Sequence, residues 1–270
     1  MWLPPDAGPA ERLTRAAVVA VAILVLLFLT VPILIVVPLS FSSEPFFSLP
    51  LPGLSLRWYA DFFGNARWLA AVLNSTVVAV AATVLATALG TLAALGLGHP
   101  AFPWRSAAMA VLVAPLIVPV VILAVGTYLL FGRLGLVDTK PGLVLAHTVL
   151  ALPLVVVTVT AALKNHDRNL VRAAAGLGAP PLAVFFRVTL PLIAPGVVAG
   201  ALFAFATSFD EVVVALFLTG AAQRTLPVQM FAGIRDQINP TIMSAATCVL
   251  VLSVALFAVV TWLTGRSRRG

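Results

Sequence analysis

The chain has 270 residues, 61% hydrophobic and 9% charged, with a formal net charge of +7. Soluble domains carry about 25% charged residues, so this composition, with a mean hydropathy of +1.12, excludes a soluble globular protein. The pI near 11.0 does not argue for nucleic-acid binding, because the basic residues flank apolar runs, where membrane topology places them.

Residues 1–10, with Pro4, Pro5 and Pro9, read as a lead-in to the first span. Charge-free runs cover 16–41, 69–97, 106–132, 141–163, 188–209 and 237–265. Each is as long as the roughly 20 residues that cross a hydrocarbon core as a helix. Only helices and closed barrels satisfy their own backbone in lipid, and these runs do not alternate, so they read as six transmembrane helices. The first run follows Arg12 and Arg15, yet it exceeds the length of a signal-peptide core and no A-x-A-like site follows Pro38. It reads as a retained helix.

Segment 40–65, rich in Pro, Phe and Ser, is the longest outer loop; Leu56, Arg57, Trp58 and Tyr59 suggest a short aromatic-anchored interfacial helix. The second span opens with Leu73-Asn74-Ser75 and is rich in small residues, which places it inside the bundle. Pro115 and Pro119 in the third span and Pro153 in the fourth mark kinks. A lone histidine in a span, His147, is more often a hydrogen-bonded packing residue than a ligand or proton relay. His99 and His166 lie far from it in the chain, so no metal site is suggested. Cys248, the single cysteine, sits in the last span as a packing residue.

Six spans put the termini on one face, with ten of the sixteen Lys and Arg residues, against six on the other. The positive-inside rule makes the face with more of them cytoplasmic.

Between the fourth and fifth spans, Asn169 to Gly178 reads as a short amphipathic helix. Asn169 or Asp167 serves its N-terminus; Leu170, Val171, Ala174 and Leu177 line one face; Gly178 ends it. Pro181 then opens a second short helix that runs to Leu190-Pro191 and bends into the membrane. Two small residues, Ala173 and Ala174, let another surface come close. Such a loop is either a docking peg or an ordinary interfacial helix.

Asp210 and Glu211 are the sole charges between Arg187 and Arg224. Carboxylates at this depth face a passage or a partner, and neighbours on a helix point about 100° apart, so one of them at most faces a passage squarely. The alternative is a structural pair, set against Arg224. No G-x-x-x-x-G-K-[ST], G-x-S-x-G or H-E-x-x-H sequence occurs, so the chain has no phosphate-binding loop and reads as a non-enzyme.

The loop Leu170–Pro191, with Ala173-Ala174, Gly178 and Leu190-Pro191 at the appropriate spacing, resembles the "EAA" loop of type I ABC-importer permeases, the binding-protein-dependent transport family. Ala146-His147-Thr148, Leu152-Pro153, the stretch from Ser208 to Val214, Phe217 to Gly220 and Leu226-Pro227 are most similar to the second permease subunit of its spermidine/putrescine branch. The resemblance covers about 69–263, which becomes a core domain after an N-terminal section 1–68 and before a basic tail 264–270. It implies an all-α, six-helix permease fold with a cytoplasmic coupling helix, in a bacterial inner membrane. It implies an ATPase dimer that holds ATP and magnesium, a second homologous permease subunit and an external solute-binding protein as partners. It also implies ATPase coupling through Leu170, Arg172, Ala173, Ala174, Gly178, Leu190 and Pro191, with Asp210 and Glu211 on the substrate pathway. One position departs: the family glutamate is Arg172 here, so that contact either meets an altered ATPase or rests on backbone and packing. The implied cargo is a polyamine, with iron(III), thiamine, sulfate or an opine-like amine as alternatives. The rival from another class is an ion-gradient-driven carrier or channel subunit.

Overall fold

The computed structural model describes residues 8–46, 48, 50–99, 102–164, 168–236 and 240–267. Residues 1–7 of the lead-in, His166 and Asp167, and 268–270 of the tail lie outside them. The described chain is helical, with one isolated antiparallel bridge, Ser42 to Leu54. The helices are α1 (Pro9–Leu39), α2 (Arg57–Gly64), α3 (Ala66–Gly98), α4 (Arg105–Ile117), α5 (Val120–Leu134), α6 (Lys140–Lys164), α7 (Arg168–Gly176) and α8 (Pro181–Val184). A π-helical stretch, Phe185–Thr189, leads into α9 (Leu190–Phe209), followed by α10 (Val213–Leu218), α11 (Leu226–Asp236) and α12 (Thr241–Ser267).

Five helical segments are long and apolar enough to cross a membrane: α1, α3, α6, the run 181–209 and α12. The third expected span is not one kinked helix. It breaks into α4 and α5, bent by 103°, and completes a sixth span only if the pair crosses together. Proline chemistry explains the break. Val118 precedes Pro119 and is held extended at φ −71°, ψ 133°, as a residue before proline is. Pro119, with no N–H to continue the ladder, caps α5 instead.

Chain contacts divide the protein into two compact units, 1–62 with 237–249, and 63–236 with 250–270. In the first, the interfacial segment is tied into its own unit. The Trp58 indole N–H donates to the Ser42 carbonyl at 2.8 Å, the Ser40 and Tyr59 hydroxyls are 2.7 Å apart, and the Thr241 hydroxyl donates to Asp61 at 2.6 Å. Thr14 and Thr30 of α1 turn their hydroxyls back to the carbonyls of Ala10 and Leu26, which hides both groups from lipid.

The second unit is built on α3, α6 and α9. Ala86, Ala94, Ala151, Val155, Val159, Ile193 and Ala204 form its buried core. Small residues set the helix spacing. A Cβ on Gly90 would lie 2.8 Å from Val155, and one on Gly200 would lie 2.6 Å from the Thr158 hydroxyl and 3.1 Å from the Val155 backbone. In lipid, where apolar surface alone does not drive helices together, such close approach supplies the packing energy. The expectation that the span opening at Leu73-Asn74-Ser75 lies inside the bundle agrees with this core.

Gly200→Leu therefore forces α9 off α6 and costs about 1–3 kcal/mol, whereas Gly126→Ala, which meets open space in α5, is neutral or stabilising. The thermal midpoints of the two purified variants, relative to the parent, check this contrast.

Candidate functional site

Asp210 and Glu211 do not sit within a continuous helix. Helix α9 ends at Phe209, Asp210 is its C-cap at φ −93°, ψ 0°, and α10 begins at Val213. The pair occupies the break, and the two carboxylates have different surroundings. Asp210 is exposed. Glu211 is buried, and its two oxygens accept the backbone N–H groups of Val214 and Ala215, each at 2.8 Å. This satisfies two of the donors that a helix start leaves open, and the negative charge sits favourably at that end. Among the described residues, neither carboxylate pairs with Arg224.

Behind Glu211 lies His147 of α6, fully buried. Its Nδ1 is 2.8 Å from the Ser208 hydroxyl, and its Nε2 is 3.7 Å from Glu211 Oε2, beyond hydrogen-bond reach. The histidine thus braces the break from the bundle side, as a hydrogen-bonded packing residue does.

Three other polar residues secure the same end of the unit. Asp138, between α5 and α6, adopts the left-handed conformation at φ 57°. Its backbone N–H donates to the Leu218 carbonyl at 2.8 Å, and its carboxylate accepts the Gly220 N–H at 2.7 Å. Gly220 is glycine because a Cβ there would lie 2.4 Å from that carboxylate. Asn74 of α3 donates to the carbonyls of Ala222 and Arg224 at 3.0 and 3.1 Å, and Ser75 accepts the Leu226 N–H at 2.7 Å. Sequence reading placed Asn74 at the opening of the second span and Gly220 among the family-like positions but did not foresee these bonds. The signal was a polar residue near the end of an apolar run, whose partner lies about 150 residues away. Nor did it foresee the helix α11 between the fifth and last spans.

The segment 168–191 forms a separate feature. Helix α7 starts at Arg168, so Asn169 is inside it and is not its N-cap. At the other end the geometry is a full C-terminal stop. Gly178 has φ +82°, its N–H donates to the Ala175 carbonyl at 3.0 Å, and the Ala179 N–H donates to the Ala174 carbonyl at 3.2 Å. That paired bonding closes the carbonyls a helix end leaves open and requires a residue at ease with positive φ. Leu170, Arg172, Ala173 and Gly178 are exposed, while Val171 and Ala174 are half-buried. The expected apolar face is therefore divided between the bundle and the outside. Leu177 is 89% and Leu182 73% exposed, and sequence reading had not singled out Leu182.

Leu190 and Pro191 do not bend the chain into the membrane as expected. The helical path runs unbroken from Pro181 to Phe209. Pro191 has no N–H for the Arg187 carbonyl, and the backbone widens into the π-helical turn Phe185–Thr189, a common accommodation of a strained ladder. Leu190 is half-buried and Pro191 exposed.

These placements make Glu211→Ala more damaging to stability than Asp210→Ala. Losing the charged double cap costs about 1.5–3 kcal/mol, whereas the exposed Asp210 leaves no buried group unpaired; comparative thermal unfolding in detergent reads the difference.

Residues 86–269 match the family described as "Binding-protein-dependent transport system inner membrane component". The chain is 34% identical to the spermidine/putrescine transport system permease protein PotC of Haemophilus influenzae, over 85% of this chain and 89% of that one. It is 35% identical to the putrescine transport system permease protein PotI of Escherichia coli, over 83% of this chain and 82% of that one. In fold it is similar to a chain of a bacterial ABC transporter involved in the import of the acidic polysaccharide alginate, with a TM-score of 0.73 at 15% identity, covering 97% of this chain and 99% of that one. An all-α chain with five or six apolar spans, sharing a third of its residues with importer permeases along most of its length, belongs to the binding-protein-dependent family of ABC-importer permeases.

Proposed function

We propose that this permease carries a polyamine, or a related small cationic solute, through a passage it forms with a second homologous permease subunit. The cargo reading is supported by the similarity to PotC and PotI, permeases of spermidine/putrescine and putrescine transport systems, and by the exposed Asp210 at the helix break. Asp210 is the pathway carboxylate in this proposal. Glu211, first expected beside it, acts through the backbone by fixing the start of α10, and so sets where Asp210 points.

ATP is hydrolysed by a partner ATPase dimer that holds the nucleotide and magnesium; this chain binds no cofactor. The observation that carries the coupling proposal is the short helix α7, bearing exposed Leu170 and followed by exposed Leu177 in the turn that Gly178 closes. Exposed apolar side chains grouped at such a helix end suit an interaction surface. Ala173 lets the ATPase approach closely, Arg172 meets it where the family has glutamate, and Leu190-Pro191 root the loop in α9. ATP-driven closure of the ATPases moves α7 as a rigid body, rocks the two permease subunits against each other and exposes the passage alternately to each side. The orientation that fits has α7 and both termini in the cytoplasm of a bacterial inner membrane, with an external binding protein delivering the solute.

Reconstitution with the ATPase, the second permease and the binding protein tests the proposal. Labelled putrescine enters the vesicles only with ATP. Asp210→Asn lowers uptake about tenfold, the equivalent of one lost favourable interaction of 1.4 kcal/mol, and leaves ATP hydrolysis in place. Uptake that persists without ATP while the membrane potential is held gives the chain to the gradient-driven carriers.

A second variant separates coupling from cargo. Gly178→Glu strains the left-handed stop and places a charge on the docking face, so ATP hydrolysis loses its link to transport. Normal coupled uptake in that variant contradicts the role given to α7.

A further inference from the structure

A cavity of about 550 Å³ lies between α4 and α6. Arg105, which opens α4, and Lys164, which closes α6, both line it. Met109, Val113 and Ile117 continue from Arg105 in steps of four residues, so they form one apolar stripe along α4. No residue of α4 is fully buried; Met109 and Val113 of the stripe are half-buried and Ile117 is exposed.

The polar end is cationic. Among the described residues, Arg105 and Lys164 have no carboxylate within ion-pair distance. Two cations thus line the same space, joined to an apolar wall.

We propose that this cleft holds one anionic phospholipid, with its phosphate between Arg105 and Lys164 and an acyl chain along the α4 stripe. The level is appropriate, because the cations stand at the ends of two membrane helices and Trp104, 71% exposed beside Arg105, marks the interface. Basic pockets between transmembrane helices recognise anionic headgroups by such pairing. A free phosphate would use the polar end alone and leave the stripe uncovered. The site is independent of which solute is carried.

The test uses the chain purified with its partner subunits and stripped of lipid in detergent. Phosphatidylglycerol, phosphatidylcholine or inorganic phosphate is added, and the thermal midpoint is followed. Phosphatidylglycerol raises the midpoint above phosphatidylcholine, and phosphate at matched concentration does not. Arg105→Gln with Lys164→Gln weakens the phosphatidylglycerol effect about thirtyfold in apparent affinity. Arg105→Lys with Lys164→Arg keeps it. Native mass spectrometry provides a second readout if the doubly neutralised variant fails to assemble: wild type retains a phosphatidylglycerol that Lys164→Gln alone loses more readily. Equal effects of the two lipids, an effect that survives the double neutralisation, or a matching effect of inorganic phosphate overturns the proposal. A photo-crosslinker at Met109 that captures a partner subunit and not lipid also overturns it, and gives the cleft to protein.

Discussion

A backbone N–H or C=O that leaves a helix inside a membrane must find a partner in the protein, because hydrocarbon offers none. Within its second unit this chain leaves regular helix after Ile117, between α4 and α5, and after Phe209, between α9 and α10, and several polar residues of that unit serve the chain that follows the second break. Glu211 takes up the open donors of α10, Asp138 holds the turn after α10, and Asn74 with Ser75 secures the chain between α10 and α11. Breaks made expensive by the solvent become fixed landmarks once they are satisfied in this way. The exposed Asp210 is thereby held at a defined place on a rigid frame.

That frame rests on small residues. Gly90, Gly196 and Gly200 bring α3, α6 and α9 into contact at distances no side chain would allow. Helices α5 and α10 pack with α3, α6 and α11 in a second core, which includes Val78, Ala124, Leu143, Val214, Leu218 and Val228. The two cores share α3 and α6, so they form one continuous bundle. α7 hangs outside both, ordered by its own C-terminal stop and joined to α9 through the π-helical turn, so that a force applied to α7 is passed along a continuous helical path from Pro181 to Phe209.

Much of this was legible in the sequence, for physical reasons that differ between elements. Apolar runs reveal spans because hydrocarbon thickness dictates their length. Gly178 revealed the stop of α7 because few residues accept positive φ. Pro119 was visible as a disturbance, but its size was not: whether a proline kinks or breaks a helix depends on whether neighbours can serve the freed groups. The bend expected at Leu190-Pro191 failed for the complementary reason, since a π-helical turn absorbed the proline. Glu211 and Asp210 looked equivalent as adjacent letters; the break in the helix gave one a structural post and left the other open. The bonds of Asn74 to Ala222 and Arg224 join residues about 150 apart and have no local signature.

Coupling, as proposed, depends on α7 as the surface by which this permease grips an ATPase. The direct measurement is to pull the chain out of its native membrane in mild detergent, as the parent and as a variant with Gly178→Glu, and identify what comes with it by mass spectrometry. The parent is expected to bring a Walker-motif ATPase and a second six-helix permease, and the variant to keep the permease while losing most of the ATPase. A parent chain that emerges alone, or as a homo-oligomer without an ATPase, contradicts the account.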